Sequence, residues 1–482
     1  MSGLRISEIQ KVQKLSPSNF KTTSIGRSKL KPLRQFLHAD RPYDKGIEPG
    51  RASYQALGDQ YFLRNSCINE NNVSQSSSRY ERFVGAVGRL ERLKELDVLL
   101  CKDANIGDAC LYVDFDQRNV FFSSGIVRLN FKDPKEGLFC LAMIRDEFFR
   151  SQLDARTPRG STIRHAGDAF LDCLLPELEQ HETWTVDAVA AAVQNIAYAE
   201  MLCDVKIAQA AKLIQDAVVP GNHKHNHPRL SAMINDPRLD AGFYSEVVTK
   251  IELAVSNYSG GSCSINDFGF TIKRGPNLQK RDMGRSVQTN SAKPGYHALI
   301  YPSSVSERGY VEEMVYIGAR SLVWHIETGG VLFSAEGSVG RTYAVCDDSL
   351  RFITNIHGLI FTPQEGVPVH RSAFLCMYFH TLRRIGYFEK VSVGGQGGSF
   401  AVSYWDRVRI PLLDDALVLK VASLYTCPTE LEVDEFNLDL LQEAGVYELG
   451  LFRDQCLAFV RQVVEDLKNG TLKPRNEVFS VA

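Results

Sequence analysis

Apolar residues along this chain follow two different periods, and those periods alternate in the same order twice. Val186, Val189, Val193, Ile196, Leu202, Val205, Ala208 and Ile214 fall mostly at three- and four-residue steps, the spacing of one helix face. Thr185, just ahead of them, is a suitable N-cap. Near the C-terminus Leu438, Leu441, Val446, Leu449, Phe452, Cys456, Phe459, Val463 and Leu467 repeat the pattern, with Asn469 and Gly470 as a stop. Gly445 and Gly450 weaken that second helix, each by about 1 kcal/mol relative to Ala. At about 1.5 Å per residue, roughly thirty helical residues make a rod of roughly 45 Å, longer than a compact domain needs.

Ahead of each helix the apolar residues come instead in short runs around glycine turns. "DVLLCKDANIGDACLYV" (Asp97 to Val113) and "GGVLFSAEGSVGRTYAV" (Gly329 to Val345) carry the same pattern. Val98, Leu99, Asp103, Ile106 and Gly107 fall on Val331, Leu332, Glu336, Val339 and Gly340, a constant shift of 233 residues. Gly125 falls on Gly358 and Arg5 on Arg238 at that same shift, whereas Phe139 and Phe374, like Pro176 and Pro411, are 235 apart. Two copies of one unit, about 1–218 and 234–470, therefore fill the chain. Each copy runs through strand-like pieces (QALGDQYFLRN; GYHALIYPSS), the glycine turn and a helical apolar stretch (LFCLAMIRDEFF; AFLCMYFHTLRR). A Gly/Ser loop follows (TPRGSTIRHA; VGGQGGSFAVSYW), then a strand ending at Pro and the long helix. In copy two, Phe400 to Trp405 reads as an aromatic strand.

Composition narrows the class. A chain of 482 residues exceeds a single ordinary core, which agrees with two domains. No apolar run reaches the roughly 18 residues of a membrane span, and the N-terminus is too polar for a signal peptide, so a cytoplasmic protein without a membrane partner is expected. The 11 cysteines are scattered, never C-x-x-C, and often sit in apolar runs, which fits buried reduced thiols. With 55 basic and 57 acidic residues, bulk charge does not drive it onto nucleic acid. The joint VPGNHKHNHPRLSAM reads as a linker; its His223, His225 and His227 alternate in a turn-rich segment that lacks the rigid frame of a metal site.

The sequence carries no catalytic signature. It has no G-x-x-x-x-G-K-[ST], no G-x-G-x-x-G opening a helix, no H-E-x-x-H, no G-x-S-x-G and no adenine-methyltransferase motif. Gly394 to Gly398 imitates a phosphate cradle, but no Lys follows it. Asp103 and Glu336 read as solvated loop carboxylates. Gly107, Gly337 and Gly340 read as structural turn residues needed for backbone conformation. Basic residues do cluster at corresponding places: Lys21 to Arg51 in copy one, and Lys273, Arg274, Lys280, Arg281, Arg285 and Lys293 in copy two. Two similar heads joined by two rods suit a ligand with two related half-sites, as duplex DNA offers at roughly 34 Å per helical turn.

Taken together, the INDPRLDAGFYSEVV opening, the GGVLFSAEGSVGRTYAV turn, the ITNIHGLIF strand and the GGQGGSF…VRIPLL ending resemble the DNA specificity (S) subunit of type I restriction-modification systems. The resemblance covers nearly the full length and is firmest in copy two. Copy one departs from it: Arg159-Gly160-Ser161-Thr162 replaces the glycine-rich run, and Lys102 stands where Ala335 does.

The resemblance implies an α+β chain of two tandem pseudo-symmetric α/β target-recognition domains. Each is followed by a long helix, and the two helices pack as an antiparallel coiled coil. The corresponding boundaries are 1–177 and 234–430 for the domains, 178–218 and 431–470 for the helices, 219–233 for the linker and 471–482 for the tail. It further implies a non-catalytic subunit that recognises a bipartite asymmetric site on double-stranded DNA. Its partners would be two adenine methyltransferase subunits and a motor-nuclease subunit. No cofactor is expected on this chain; S-adenosylmethionine, ATP and Mg belong to those partners.

Base reading requires side chains that reach the major groove. The DNA-binding candidates are Lys45, Arg51, Lys102, Arg159, Lys280, Arg281, Arg285 and Gln396, and the partner-docking candidates on the helices are Val205 and Phe459. Two alternatives stay open: a specificity subunit serving a fused methylase-nuclease, and a protein–protein scaffold that kept the duplicated fold without sequence reading.

Overall fold

The computed structural model of the 482-residue chain describes residues 29–475, apart from 56–57, 59, 69–80, 116–117, 159–163, 179–181, 220–237, 239, 279–285, 320–323, 395–397 and 474. Its contacts divide it into two compact units. Unit one comprises Met1–Met201, Glu430–Leu441 and Phe452–Ala482; unit two comprises Leu202–Thr429 and Gln442–Leu451. Each holds a mixed α+β head with several small sheets. No helix among the described residues is long and apolar enough to cross a membrane. All 11 cysteines are free thiols.

The strands of unit one are β1 (Leu30–Pro32), β2 (Tyr43–Lys45), β3 (Gln60–Leu63), β4 (Glu81–Phe83), β5 (Val98–Cys101), β6 (Ala109–Leu111), β7 (Val120–Phe122), β8 (Ile126–Leu129) and β9 (Leu174–Pro176). They assemble as β1-β9, β2-β8-β5-β6 and β4-β3-β7, with only the β3–β7 pair parallel among the described strands. All of β5 is buried, which is why it reads as an unbroken apolar run. Helix α1 (Pro134–Ile144) starts where the Asp133 side chain accepts from Glu136 N and Pro134 stands at the first helical position. Asp146 caps α2 (Glu147–Arg156) in the same way through Phe148 N.

Unit two repeats this plan with β10 (Ser262–Cys263), β11 (Phe270–Arg274), β12 (Ser286–Thr289), β13 (His297–Leu299), β14 (Val315–Ala319), β15 (Val331–Ser334), β16 (Thr342–Ala344), β17 (Phe352–Ile353), β18 (Gly358–Pro363) and β19 (Ile410–Pro411). The orders are β10-β19, β11-β18-β15-β16 and β12-β14-β13-β17, again with one parallel pair, β13–β17, among the described strands. The duplication therefore survives as topology, with β12 an addition in copy two among the described strands.

Strand register corrects one detail of the sequence match. Val98 pairs with Leu129 and Val331 with Phe361, so this strand is related by 232 residues. Gly125 thus occupies the place of His357, and Gly358 that of Ile126. The two glycines meet different neighbours: a Cβ on Gly125 would strike Asn65, and one on Gly358 would strike Leu332 and Thr354.

The helices after the terminal strands differ between copies. In copy one a single helix, α3 (Trp184–Ala217), runs for 34 residues. It begins ahead of Thr185, with Val186 N donating to Thr183 O at 3.1 Å, so Thr185 is a buried residue of the first turn and not the cap. Copy two opens with α4 (Glu246–Ser256) and carries α5 (Val369–Arg384) and α6 (Tyr387–Val391) against its sheet. Its following helical region is broken into α7 (Asp415–Tyr425), α8 (Leu438–Glu443) and α9 (Val446–Asn469). Gly445 lies at the last break, where a Cβ would come within 2.6 Å of Cys427 N and Tyr425 O. Gly450 lets Tyr310 approach, since a Cβ there would be 2.5 Å from Tyr310 Cβ. These glycines permit close packing as well as lowering helix propensity. Phe400 to Trp405 is not a strand: Val402–Asp406 forms a 3-10 turn that drops Trp405 into the core.

Helix contacts can be followed inside each unit. In unit one Arg453 Nε donates to Glu200 Oε1 at 2.7 Å, with side-chain exposures of 3% and 0%, and Asn195 Nδ2 donates to Glu435 O at 3.0 Å. In unit two Lys206 Nζ donates to Gln442 O at 2.7 Å, and Arg308 Nε pairs with Asp204 at 2.9 Å.

Candidate nucleic-acid interface

The repeated glycine turn is built alike in both heads. Gly107 has φ 90° and Gly340 φ 88°; Gly337 has φ 75°, and its counterpart Ala104 adopts φ 60°. Gly107 N donates to Cys101 O at 2.9 Å and Gly340 N to Ser334 O at 3.0 Å. The turn then reaches the Gly/Ser loop of its own head: Ala104 N donates to Arg164 O at 3.1 Å, Gly337 N to Gly398 O at 3.2 Å. These N–H groups are spent inside the protein, so the turn acts as a brace for the neighbouring loop and leaves those donors none to offer a phosphate.

The acidic residue of each turn is held by basic side chains. Asp103 meets Lys102 Nζ at 3.0 Å and His165 Nδ1 at 2.9 Å. Glu336 meets His357 Nδ1 at 2.5 Å and Arg274 Nη1 at 2.8 Å. The hydrogen bond from His357, followed by that from Arg274, holds the Glu336 carboxyl below its ordinary range. Such carboxylates tie loops together.

A second shared corner emerges only from strand register. Lys45 pairs with Val127 and Arg274 with Leu359, positions that match across the two heads. A glycine follows each, and a Cβ on either Gly46 or Gly275 would lie 2.1 Å from a carbonyl oxygen, Ser123 O and Asn355 O respectively. Both heads therefore pass a basic residue and a glycine hard against the same turn before the chain emerges at the surface. Beyond the corner in head one lies a cleft of about 640 Å³ whose walls include Glu48, Arg51, Tyr54, Arg64 and Ser123. The Arg64 guanidinium lies 4.9 Å above the Tyr54 ring.

Among the candidates from sequence, Lys45 and Arg51 are exposed beside this corner. Lys102 is 12% exposed and its ammonium is committed to Asp103, so it has no reach toward a groove. Arg159, Lys280, Arg281, Arg285 and Gln396 lie outside the described residues, as do His223, His225 and His227. Val205 on α3 and Phe459 on α9 are half-buried. Sequence reasoning counted Arg274 in the basic cluster of copy two without choosing it as a candidate, and passed over Glu48 and Asn277. The available signal was the dipeptide Lys-Gly or Arg-Gly, concealed because Lys45 and Arg274 stand 229 residues apart, not 233.

No family model matches the chain, and no curated protein matches it. Solved structures do. A type I restriction-modification system S subunit from M. genitalium matches over 94% of this chain and 98% of its own, at 12% identity and a TM-score of 0.39. The chain is thus similar to an S subunit along nearly all its length. The HsdS subunit from Thermoanaerobacter tengcongensis matches over 92% of this chain and 97% of its own, at 14% identity and a TM-score of 0.28. A chain from a structure of the complex assembly and conformational transition of the type I R-M system covers 93% of this chain and 100% of its own, at 13% identity and a TM-score of 0.28.

Proposed function

We propose that this chain is a non-catalytic DNA sequence-specificity subunit whose two heads each read one half of a bipartite, asymmetric duplex site. One observation carries the reading: the heads keep the same braces and the same basic–glycine corner, while the exposed residues beyond that corner differ. A scaffold preserved under a changed rim suits two readers of unlike base sequences.

In this reading α3 and the α8–α9 region lie antiparallel and set the gap between half-sites. The order of contacts inside unit two supports it, because Cys203 Sγ meets Val446 O at 3.9 Å while Lys206 meets Gln442 O, so the partner number falls as the α3 number rises. At about 1.5 Å per residue the 34 residues of α3 span about 51 Å, roughly one and a half duplex turns. The same helices dock two adenine methyltransferase subunits through surfaces that include Val205 and Phe459, with a motor-nuclease subunit as a further partner. S-adenosylmethionine, ATP and Mg reside on those partners, which also supply most of the cationic clamp that a chain of net charge −2 lacks.

The test is methyl transfer and binding with the purified pair of this chain and its methyltransferase. Labelled methyl should reach adenine only within a split sequence and only when both proteins are present, and affinity should fall at least ~10-fold between 50 and 200 mM salt. Equal binding to every duplex, or methyl transfer by this chain alone, overturns the reading.

A further inference from the structure

The basic–glycine corners bring out the same segment in each head, and that segment carries different hydrogen-bonding groups. Counting from the matched glycines, Glu48 follows Gly46 by two residues and Asn277 follows Gly275 by two. Both are exposed. Glu48 is fixed against the β7–β8 turn: its Oε1 accepts from Ser123 Oγ at 2.8 Å, Ser124 Oγ at 2.9 Å and Ser124 N at 3.3 Å. Its Oε2 has no protein donor among the described residues. Three bonds to one oxygen orient the carboxylate and leave the other oxygen available to a ligand.

The company Glu48 keeps tells which ligand. Its cleft also contains the guanidinium groups of Arg51 and Arg64 and the Tyr54 ring. Arginines alone would suit a phosphate, but a carboxylate in the same lining repels one. A G·C pair satisfies both kinds of group, because guanine O6 and N7 accept from arginine while cytosine N4 donates to a carboxylate. Head two, with Asn277 at the matched place, presents a neutral amide instead, the group that pairs with the N6 and N7 edge of adenine.

We infer that the segment leaving each basic–glycine corner reads a base pair, Glu48 with Arg51 taking G·C in head one and Asn277 taking A·T in head two. This rests on the DNA-specificity reading above and assigns its readout to named positions. The two heads then differ in base preference through the side chains that follow a shared corner.

The experiment is selection from a random-sequence duplex library by the full-length chain with its methyltransferase, comparing wild type, Glu48→Asn and Asn277→Glu. Wild type should enrich a split motif. Glu48→Asn should lower the preference for G·C about tenfold or more at one position of one half-site, in favour of A·T, and leave the other half-site unchanged. Asn277→Glu should make the mirror change in the second half-site, so a folding defect in one variant leaves the other to decide. A motif identical in all three proteins, or one blurred across a whole half-site in both variants, overturns the inference while leaving the specificity reading standing. No motif from wild type overturns that reading itself, and the inference falls with it.

Discussion

The two heads agree in backbone and disagree in what fills it. In head two Phe333 packs edge-on against Phe379, Phe388 and Trp405, at ring separations of 5.7, 4.9 and 4.9 Å. In head one the residue matched to Phe333 by register is Leu100, and Arg128 is buried where head two has Ile360. Arg128 is held by Asp44 at 2.6 Å and Asp97 at 3.2 Å. A charged cluster and an apolar residue thus occupy one place in one sheet order. The topology is set elsewhere, by buried strands and by glycines at close backbone approaches.

Another pair makes the point at a single contact. His380 on α5 reaches Thr342 O at 3.1 Å, and Arg145 after α1 reaches Ala109 O at 3.3 Å. Ala109 and Thr342 start the matched strands β6 and β16. The same carbonyl is satisfied by a permanent cation in one head and by a titratable ring in the other.

The largest expected effect separates the charged core from the apolar one. Arg128→Ala leaves the buried Asp44 carboxylate only its exposed partner Arg41 and removes the guanidinium beside Asp97, and should destabilise head one by about 3 kcal/mol, whereas Ile360→Ala should cost head two only about 2 kcal/mol. Hydrogen exchange of β5 and β15 amides measures both, and equal losses would mean the Arg128 cluster is solvated. Next, Gly46→Ala and Gly275→Ala should each cost about 3 kcal/mol, because a Cβ at 2.1 Å from a carbonyl forces the backbone apart. Equal losses are predicted from the shared corner; a loss in one head alone breaks the equivalence.

The third effect depends on acid. Burial holds His380 down to about 4, so the folded head keeps the ring neutral while the unfolded chain binds a proton below about 6.5. Stability from this site is present above pH 6.5 and is lost as pH falls toward 4, by up to about 3 kcal/mol. Exchange from β16 should therefore accelerate across that window and that from β6 should not respond through Arg145, while His380→Gln should flatten the β16 response. The smallest effect concerns binding. Lys45→Ala should leave stability within about 0.5 kcal/mol and reduce the slope of log affinity against log salt by about one. Arg274→Ala should do the same and also release Glu336 in the turn, which amide exchange at Ser338 and Gly340 would report.

Much of this plan is written in the sequence, and the exceptions have causes. The glycine turn is legible because two positive-φ positions and an unbroken buried strand restrict which residues fit, in either copy. The corner at Gly46 and Gly275 is not, because the residues around it changed and copy two spaces it four residues further from the turn. Periodicity predicted one long helix after each terminal strand, yet it says nothing of Gly445, whose role is to let Cys427 and Tyr425 approach. Lys102 looked like a reader by charge; its neighbour Asp103 had already claimed it. Asn277 carried no charge to draw notice, and only strand pairing aligned it with Glu48.

The most direct test is methylation mapping of DNA from the source cell with this coding region intact and deleted. The account predicts methylated adenines within a split asymmetric sequence of fixed gap, all of them lost on deletion. Methylation that persists unchanged after deletion, or a lost motif that is a single contiguous block, would contradict it.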